Sequence, residues 1–463
     1  MVTLRLWLAV SALLVSPAGV AGPSQDGELI DNAWAGHPVA FAFLAEHGHL
    51  FIAYYDAQRR MTIASRPMES GTWTRIHPEG RPVPKRDHPS NAVGWDSHNS
   101  LQLALDREGC LHLSGNLHGD PLIYYRTRLP FDLSSLERLD RMTGDRESRT
   151  TYPLFFKNAA GDLLFRYRDG SSGNGSDYYN RYHPETRTWS RLLDTPLHEG
   201  EGERSAYASA PLAGPDGFFH VLWVWRDTPD AATNHTLSYA RSRDLVHWET
   251  SSGQPLTLPI TYATSEVVDP ASPGGGLINM CRELGFDAEG RVLAVYHRYD
   301  ESGRSQAYIA RPTDSGRWDI QVLSDWTFRW AFRGGGAIPG EVSLGRPMAA
   351  PDGTVILDYA TVSTGSGRWV IDSKTLRVVR HLPPATSPIP APLLAVRGDF
   401  PGLSVQSVTR HSPGRTWLLR WETLGRNRDR PRPVIPPPSE LRLYELPDTA
   451  GGNAGPTAAA PRT

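Results

Sequence analysis

One hydrophobic pattern recurs along the chain: a short polar turn that ends in glycine, followed by four to seven apolar or aromatic residues. Apolar runs of this length, bounded by turn residues, are typical of β-strands. Each glycine can supply the positive φ that a hairpin turn needs before its strand. The seven copies contain Gly48, Gly109, Gly161, Gly217, Gly290, Gly353 and Gly414, at spacings of 61, 52, 56, 73, 63 and 61 residues.

A second element follows four of these copies: a strand-like run, a polar turn and then a tryptophan, which is Trp73, Trp189, Trp248 or Trp318. A unit of about 50–70 residues with two hairpins' worth of strands matches one four-stranded blade of a β-propeller. Repeats with a period of this size indicate units that stack side by side. We therefore predict an all-β chain that forms a seven-bladed β-propeller. A pair of β-sandwiches would not explain seven periodic copies.

The two ends of the chain differ from the repeats. Residues 1–21 combine an early positive charge, an apolar run and small residues before position 22, which is typical of a secretory signal peptide. Residues 22–446 carry the propeller, and its last strand is expected at Leu441–Leu446. Residues 447–463 are rich in Gly, Ala and Pro and are predicted to be a disordered tail. We expect a secreted or periplasmic protein with no membrane span.

The composition of the chain mainly excludes certain classes of protein. The chain has 48 Lys+Arg against 50 Asp+Glu, a formal charge of −2, so we expect no nucleic-acid partner. Aromatic residues make up 10% of the chain, which excludes an acidic disordered protein. Its two cysteines, Cys110 and Cys281, lie beside apolar runs and are predicted to be buried thiols, with a disulfide or a shared metal left open. We expect a monomer.

Polar residues gather at the starts of consecutive repeats, where the loops of a propeller converge on the central channel. The chain has 16 histidines, and a lone histidine is more often a surface or core residue than a catalytic one. Two histidines, two tyrosines and an arginine at corresponding blade edges favour a carbohydrate-type site. The candidates are His98 and Asn99 in GWDSHNS, His118 in SGNLHGD, Tyr152 in TYPLFF, Arg168 in LLFRYRDG, Tyr207 in RSAYASAP and Arg226 in WVWRDTPD.

These segments resemble a known family. The run DSHNSLQLALDREGCLHLSGNLHGDPLIYYR, with TYPLFF, LLFRYRDGSSGNG and SAYASAPLAGPDGFFHVLWVWRDTPDAATNH, is similar to the BNR-repeat propeller group that contains the ulvan lyases. The resemblance covers roughly residues 30–335 and is specific to the group as a whole. It implies a secreted polysaccharide lyase that acts on an acidic, ulvan-type rhamnose–uronate polysaccharide. It also implies that His98, His118, Tyr152, Arg168 and Tyr207 form the site.

A lyase of this kind removes the C5 proton of a uronate and expels the 4-O-linked sugar. Arg168 suits neutralisation of the carboxylate, because a guanidinium binds a carboxylate in bidentate fashion. His118 can add a second donor. Tyr152 and His98 are the acid/base candidates, in an order that the sequence leaves open. A cationic arginine favours the phenolate of a nearby tyrosine, so we expect a lowered pKa for Tyr152.

Tyr207, Asn99 and Arg226 are predicted to bind and position the sugar. The sequence has no acidic cluster typical of a catalytic calcium site, so we expect metal-independent elimination with no cofactor for catalysis, and a structural ion stays open. Two alternatives remain. A glycoside hydrolase acting on rhamnosyl-glucuronate linkages normally needs two carboxylates at the reacting centre. A non-catalytic glycan-binding propeller would use the same aromatic residues and arginine without an acid/base pair.

Overall fold

The computed structural model of the protein describes residues 26–69, 71–84 and 86–447. The predicted signal peptide lies outside these residues, and so does the predicted tail apart from Pro447. Regular structure in the described chain is almost entirely β-strand. The all-β class that the repeats predict is therefore confirmed. Helical structure is limited there to 3-10 turns at Leu133–Ser135 and Ala231–Thr233 and to α1 (Ala391–Leu394).

The strands follow one another at short intervals. The first ten are β1 (Glu28–Ala33), β2 (Ala42–Glu46), β3 (His49–Tyr55), β4 (Met61–Pro67), β5 (Thr74–Ile76), β6 (Leu101–Leu105), β7 (Leu111–Gly115), β8 (His118–Asp120), β9 (Tyr124–Thr127) and β10 (Leu136–Arg138). The next are β11 (Thr150–Lys157), β12 (Leu163–Ser171), β13 (Asn174–His183), β14 (Thr188–Arg191), β15 (Ser205–Ala208), β16 (Leu212–Ala213), β17 (Phe219–Arg226), β18 (Asn234–Ser242), β19 (Trp248–Glu249) and β20 (Glu266–Asp269). The last are β21 (Arg282–Phe286), β22 (Val292–Tyr299), β23 (Ser305–Pro312), β24 (Trp318–Val322), β25 (Val342–Leu344), β26 (Met348–Ala349), β27 (Val355–Thr361), β28 (Gly365–Ile371), β29 (Val378–Leu382), β30 (Leu403–Ser412), β31 (Arg415–Leu424) and β32 (Ser439–Leu446).

The seven repeat glycines have the backbone conformation that the sequence predicts. Their φ angles lie between 73° and 83°, and a strand begins within two residues after each of them. An L side chain disfavours this left-handed region, which is why the pattern uses glycine. At Gly109 a Cβ atom would also come within 2.4 Å of the ring of Phe131. The glycine of each repeat is therefore required by the backbone conformation of its turn.

Strands that are neighbours in sequence pair antiparallel and form meanders. Three sheets have four strands each, in the orders β2-β3-β4-β5, β10-β9-β7-β6 and β1-β32-β31-β30. An eleven-stranded and a nine-stranded sheet each contain two meanders, joined by the parallel contacts β13–β15 and β21–β26. The repeated tryptophans mark outer strands, since Trp189, Trp248 and Trp318 lie in β14, β19 and β24 and Trp73 directly precedes β5.

The first and last strands of the described chain pair with each other. β1 runs antiparallel to β32, with Glu28 opposite Leu443 and Ala33 opposite Ser439. The strand expected at Leu441–Leu446 is present as β32 (Ser439–Leu446), and it pairs with the first strand. Ile30 on β1 is 2% exposed and belongs to the largest core cluster, whereas its neighbour Leu29 is 48% exposed. Strand β1 therefore contributes to the hydrophobic core as well as to the sheet that it forms with β32.

The remaining predictions about the scaffold concern the cysteines and the membrane. Cys110 and Cys281 are buried thiols, as the sequence predicts. In the part of the chain that the structure describes, no helix has the length and apolar character needed to cross a membrane.

Replacing Ile30 with alanine should lower the free energy of unfolding by about 2–4 kcal/mol, because the change leaves a cavity between β1 and the core. Leu29→Ala is the matched control, since its exposed side chain should cost less than about 1 kcal/mol. Urea denaturation followed by tryptophan fluorescence measures both variants. Equal losses would show that the pairing of β1 with β32 does not bury Ile30.

Candidate active site

Tyr152 lies at an irregularity near the start of β11. The register between β11 and β12 shifts between Thr151 and Leu154. Tyr152 has a φ of 57°, a conformation that costs a bulky residue about 1–3 kcal/mol and persists only where the surroundings enforce it. A bulge re-aims a side chain away from the simple alternation of its strand. Here the tyrosine ring is directed to the other predicted site residues.

The structure brings the predicted catalytic side chains into one cluster. The ring centroids of His98 and His118 lie 4.3 Å apart. The ring of Tyr152 lies 6.1 Å from the first and 6.2 Å from the second. The guanidinium carbon of Arg168 is 4.9 Å from the ring centroid of Tyr152 and 5.4 Å from that of Tyr207. Five separate sequence segments therefore supply one site.

A single carboxylate contacts both imidazoles. Oδ1 of Asp96 lies 2.7 Å from Nδ1 of His98, and Oδ2 lies 2.5 Å from Nδ1 of His118. An ionised carboxylate only accepts hydrogen bonds, so both Nδ1 atoms donate and each neutral ring keeps Nε2 as its acceptor. Burial acts to raise the pKa of Asp96, but the hydrogen bonds from His118 and His98 outweigh it and hold this pKa well below its usual range.

A second carboxylate reaches the same histidine from a distant part of the chain. Oδ2 of Asp429 lies 3.6 Å from Nδ1 of His98 and accepts a hydrogen bond from the amide of Ala337 at 2.9 Å. Its Oδ1 accepts from the amide and the hydroxyl of Ser97 at 3.0 and 2.8 Å. Sequence reasoning missed Asp429, because it lies in an Arg- and Pro-rich segment that carries no repeat signal.

Two arginines on β12 have opposite electrostatic surroundings. Nη2 of Arg166 lies 2.9 Å from Oδ2 of Asp177, so a buried carboxylate compensates its charge. Arg168 is 3% exposed, and its Nε and Nη1 atoms have no hydrogen-bond partner. Among the described residues it forms no salt bridge with a carboxylate, although it hydrogen-bonds Tyr207 and Asp177 acts on its charge from a greater distance. A buried cation without a carboxylate in direct contact is costly, and an anionic ligand would reduce that cost.

The two tyrosines of the cluster differ in acidity. Burial raises the pKa of Tyr152 well above its usual value, the Tyr207 phenol adds to this, and Arg168 and Arg226 offset it only in part. Burial acts on Tyr207 as well, but Arg168, Arg226 and a 2.5 Å hydrogen bond with Ser172 outweigh it, so the pKa of Tyr207 is lowered. The predicted lowering at Tyr152 is therefore wrong. Its burial outweighs the nearby positive charge, which the sequence pattern could not register.

Arg226 and Asn99 lie at the edges of the cluster. The guanidinium of Arg226 is 5.2 Å from the ring centroid of Tyr207 and donates to two backbone carbonyls of the following loop. Asn99 is 2% exposed, and its backbone carbonyl accepts a hydrogen bond from Tyr55. Its side-chain oxygen has no hydrogen-bond partner. A binding role for Asn99 stays a prediction.

The cluster borders a shallow cleft with a volume of about 50 Å³, smaller than a typical small-molecule pocket. Residues from later in the chain that were not predicted from the sequence complete its wall. The lining combines His98, Tyr152 and Arg226 with Asn279, Met280, Ile338 and Arg426.

Asp96, His98 and His118 are also the residues that could hold a metal ion. Their ligand atoms lie within 4.8 Å of one another. Carboxylate and imidazole groups are common ligands of zinc and other transition metals. Both Nδ1 atoms bond the carboxylate in this structure, so an ion would either use Nε2 or replace these hydrogen bonds.

Comparison with protein families covers the part of the chain that holds this cluster. Residues 49–326 match the family described as BNR repeat-containing, and this range includes every predicted site residue from His98 to Arg226. The chain belongs to this family.

Curated relatives of this BNR repeat-containing protein are ulvan lyases. The long isoform of the ulvan lyase of Pseudoalteromonas sp. (strain PLSV) is 46% identical over 160 residues, which cover 29% of this chain and 14% of the relative. That of Alteromonas sp. (strain LOR) is 44% identical over 217 residues, which cover 39% of this chain and 19% of the relative. The chain thus spans about a fifth or less of the length of these curated relatives.

Solved structures share the fold of this BNR repeat-containing chain. A PL25 ulvan lyase bound to -[GlcA(1-4)Rha3S]- has a TM-score of 0.57 at 14% identity, covering 90% of this chain and 95% of that one. At this identity the likeness concerns the fold alone. Together with the family match, the relatives confirm the resemblance to the BNR-repeat group that contains the ulvan lyases.

Replacing Arg168 with methionine should raise the free energy of unfolding by about 1–2 kcal/mol, because it removes a buried charge that has no carboxylate partner. Arg166→Met is the matched control on the same strand. It leaves the buried Asp177 carboxylate without its arginine and should lower the free energy of unfolding by about 3 kcal/mol. Chemical denaturation measures both. A similar loss in the two variants would contradict an uncompensated charge at Arg168.

Proposed function

We propose that the protein is a polysaccharide lyase that cleaves an acidic polysaccharide at a uronic acid by β-elimination. The observation that carries the proposal is the buried guanidinium of Arg168, which forms no salt bridge with a carboxylate in the described chain. It lies 4.9 Å from the ring of Tyr152, which lines the cleft together with His98. A guanidinium stays charged and binds a carboxylate through two parallel hydrogen bonds. A uronate would supply the counter-charge that Arg168 lacks.

Binding of the uronate carboxylate prepares the first chemical step. The proton at C5 is acidic only if the negative charge that develops towards the carboxylate is stabilised. Arg168 is the donor that we assign to this task. His118 adds a second donor through Nε2 when its ring is protonated, because its Nδ1 already bonds Asp96. Fixed donors in a site shielded from water stabilise developing charge more strongly than water does.

His98 and Tyr152 are assigned to the proton transfers. Nδ1 of His98 is bonded to Asp96, so Nε2 is the atom that accepts the C5 proton. The raised pKa of Tyr152 keeps its phenol protonated at neutral pH, which suits donation to the departing 4-oxygen. The electrons of the C5–H bond form the C4–C5 double bond as the C4–O bond breaks. Tyr207 and Arg226 position the sugar.

We further propose that the substrate is an ulvan-type rhamnose–uronate polymer and that the elimination is independent of metal ions. Support for the polymer comes from the relatives, which are ulvan lyases, and from the oligosaccharide bound to the related PL25 enzyme. Side chains account for neutralisation, base and acid, so no step of this scheme requires a metal. We also propose that residues 1–21 direct export, which would bring the enzyme to a polymer outside the cytoplasm.

The finer architecture is a proposal as well: we infer a monomeric seven-bladed β-propeller. Support comes from the meanders, because each contains the strand that follows one repeat glycine. The pairing of β1 with β32 agrees with closure of a ring through its last blade. The seven meanders are β2–β5, β6–β10 without β8, β11–β14, β15–β19, β21–β24, β25–β29 and β30–β32 with β1.

The decisive experiment incubates the purified protein with ulvan and follows absorbance at the unsaturated-uronate band. A rise establishes elimination and the substrate class together. New reducing ends without that absorbance would instead assign a glycoside hydrolase. Binding of the polymer with neither product would assign a non-catalytic glycan-binding protein.

Tyr152→Phe should lower kcat by about 100-fold or more, because it removes the proton donor and retains the ring. Tyr179→Phe is the matched control, since Tyr179 is a buried tyrosine whose hydroxyl has no hydrogen-bond partner and does not line the cleft. This control should keep the activity of the parent protein. Near-normal kcat in Tyr152→Phe would overturn the acid assignment.

Dialysis against a chelator should leave the rate of elimination unchanged, because the scheme uses only side-chain acids, bases and cations. The same absorbance assay measures this before and after treatment. Loss of activity that added zinc or calcium restores would contradict metal independence and would point to the ligand atoms of Asp96, His98 and His118.

A further inference from the structure

Two loops concentrate positive charge beside the cleft. Residues 328–337, FRWAFRGGGA, contain two arginines and no acidic residue, and residues 425–433, GRNRDRPRP, contain four arginines and one aspartate. Their formal charges are +2 and +3, in a chain whose total is −2. We call these two loops the arginine rim. Both lie outside residues 49–326, the range that matches the family.

The two loops of the arginine rim pack against each other at the cleft. Nη1 of Arg428 donates to the carbonyl of Arg333 at 2.9 Å. A Cβ atom on Gly336 would come within 2.8 Å of the Arg428 carbonyl, so the loops meet closely there. Arg426 and Gly336 line the same cleft as the catalytic cluster. The positive charge of the rim therefore adjoins the site.

The acidic residues that contact these loops are already engaged. Asp429 accepts hydrogen bonds from Ser97 and from the amide of Ala337, beside His98. Asp230 accepts hydrogen bonds from the amide of Gly334 at 2.5 Å and from the amide of Ala232 at 2.9 Å. These carboxylates fasten the loops through backbone and hydroxyl donors.

The guanidinium groups of the rim are held without being neutralised. Arg428 and Arg432 donate to backbone carbonyls, which carry no net charge. Polar anchoring of this kind fixes the side chains and leaves their positive charge available to an anion. Among the rim arginines that the structure describes, those without a salt bridge to a carboxylate are Arg329, Arg333, Arg428, Arg430 and Arg432, although Asp230 acts on Arg333 from a greater distance.

The backbone at the centre of the rim is strained. Arg428 has a φ of 50° and Asp429 a φ of 59°, two consecutive non-glycine residues in the left-handed region. Each costs about 1–3 kcal/mol, and such strain is found mainly at ligand clamps and active sites. Here the hydrogen bonds of Asp429 hold the strained turn, and Arg428 lies next to it.

We propose that the arginine rim is an anion-binding subsite, which takes a sulfate ester or a carboxylate on a sugar next to the uronate held by Arg168. This inference rests on the proposed function for the identity of the polymer. Arginine is well suited to such groups because its planar fork matches their oxygen atoms. Since the rim is exposed, salt should weaken its contribution to binding.

The test measures binding in the Tyr152→Phe background, where turnover is suppressed, by electrophoresis through gels that contain ulvan. Substituting both Arg333→Gln and Arg428→Gln should weaken binding about ten-fold or more and reduce its salt dependence. Arg333→Gln alone guards against a folding defect, because only the backbone carbonyl of Arg333 takes part in the contact between the loops. It should weaken binding by a smaller factor.

Arg380→Gln is the matched control, since Arg380 is exposed on the outer strand β29 and does not line the cleft. Its binding should equal that of the parent. A loss seen with native ulvan but not with desulfated ulvan identifies a sulfate ester as the bound group, and an equal loss with both identifies a carboxylate. Unchanged binding in the double variant, or an equal loss in Arg380→Gln, would overturn the subsite.

The proposed function is tested separately from the rim. If the parent protein produces no unsaturated product, the lyase assignment fails while the binding result for the rim still stands. If the double variant binds like the parent while the parent eliminates, the rim fails and the lyase assignment stands.

Discussion

A guanidinium buried without a carboxylate partner is stable only if the surrounding structure holds it in place. Arg168 sits in the middle of a sheet, with Thr151 opposite it on β11 and Asp177 opposite it on β13. The rings of Tyr152 and Tyr207 lie against its charge, and each cation–π contact contributes about 0.5–2 kcal/mol. That is less than the several kcal/mol needed to bury an ion. The many-stranded scaffold therefore supplies the rest, and the site keeps a charge that a ligand can use.

The other half of the cluster is arranged in the opposite way, because its acidic groups are fully engaged. Asp96 bonds both histidines, and Asp429 joins His98 to two separate loops. The anionic groups thus fix geometry, while the cation at Arg168 stays open to a partner. Such a division suits an acidic substrate, since its carboxylate meets positive charge on one side and oriented imidazoles on the other.

The parts of this structure that the sequence predicts are those set by local backbone and packing rules. Glycines with positive φ mark every repeat, and tryptophans mark outer strands. Both features can be predicted because the turn and the outer strand are each determined by residues of a single hairpin. Tyr152 and Arg168 lie together because β11 pairs with β12, with Thr151 opposite Arg168, and His98 joins them from the preceding repeat. Asp429 could not be found in this way, because its contact with His98 depends on a loop more than 300 positions further along the chain. The raised pKa of Tyr152 depends on its burial, which no pattern of residue types records.

Two of the segments that hold non-glycine residues at positive φ lie at the site and at the rim. Tyr152 is strained within the range that matches the family, where it completes the catalytic cluster. Arg428 and Asp429 are strained in a loop beyond that range, where Asp429 ties the arginine rim to His98. Because the carboxylate of Asp429 is shared between the rim and the histidine, a change in the rim's backbone would also displace a catalytic group. The Arg333 side chain is different, because only its backbone carbonyl takes part in the contact between the loops. In the proposed lyase, substrate preference would therefore vary through such side chains while the geometry around His98 is kept.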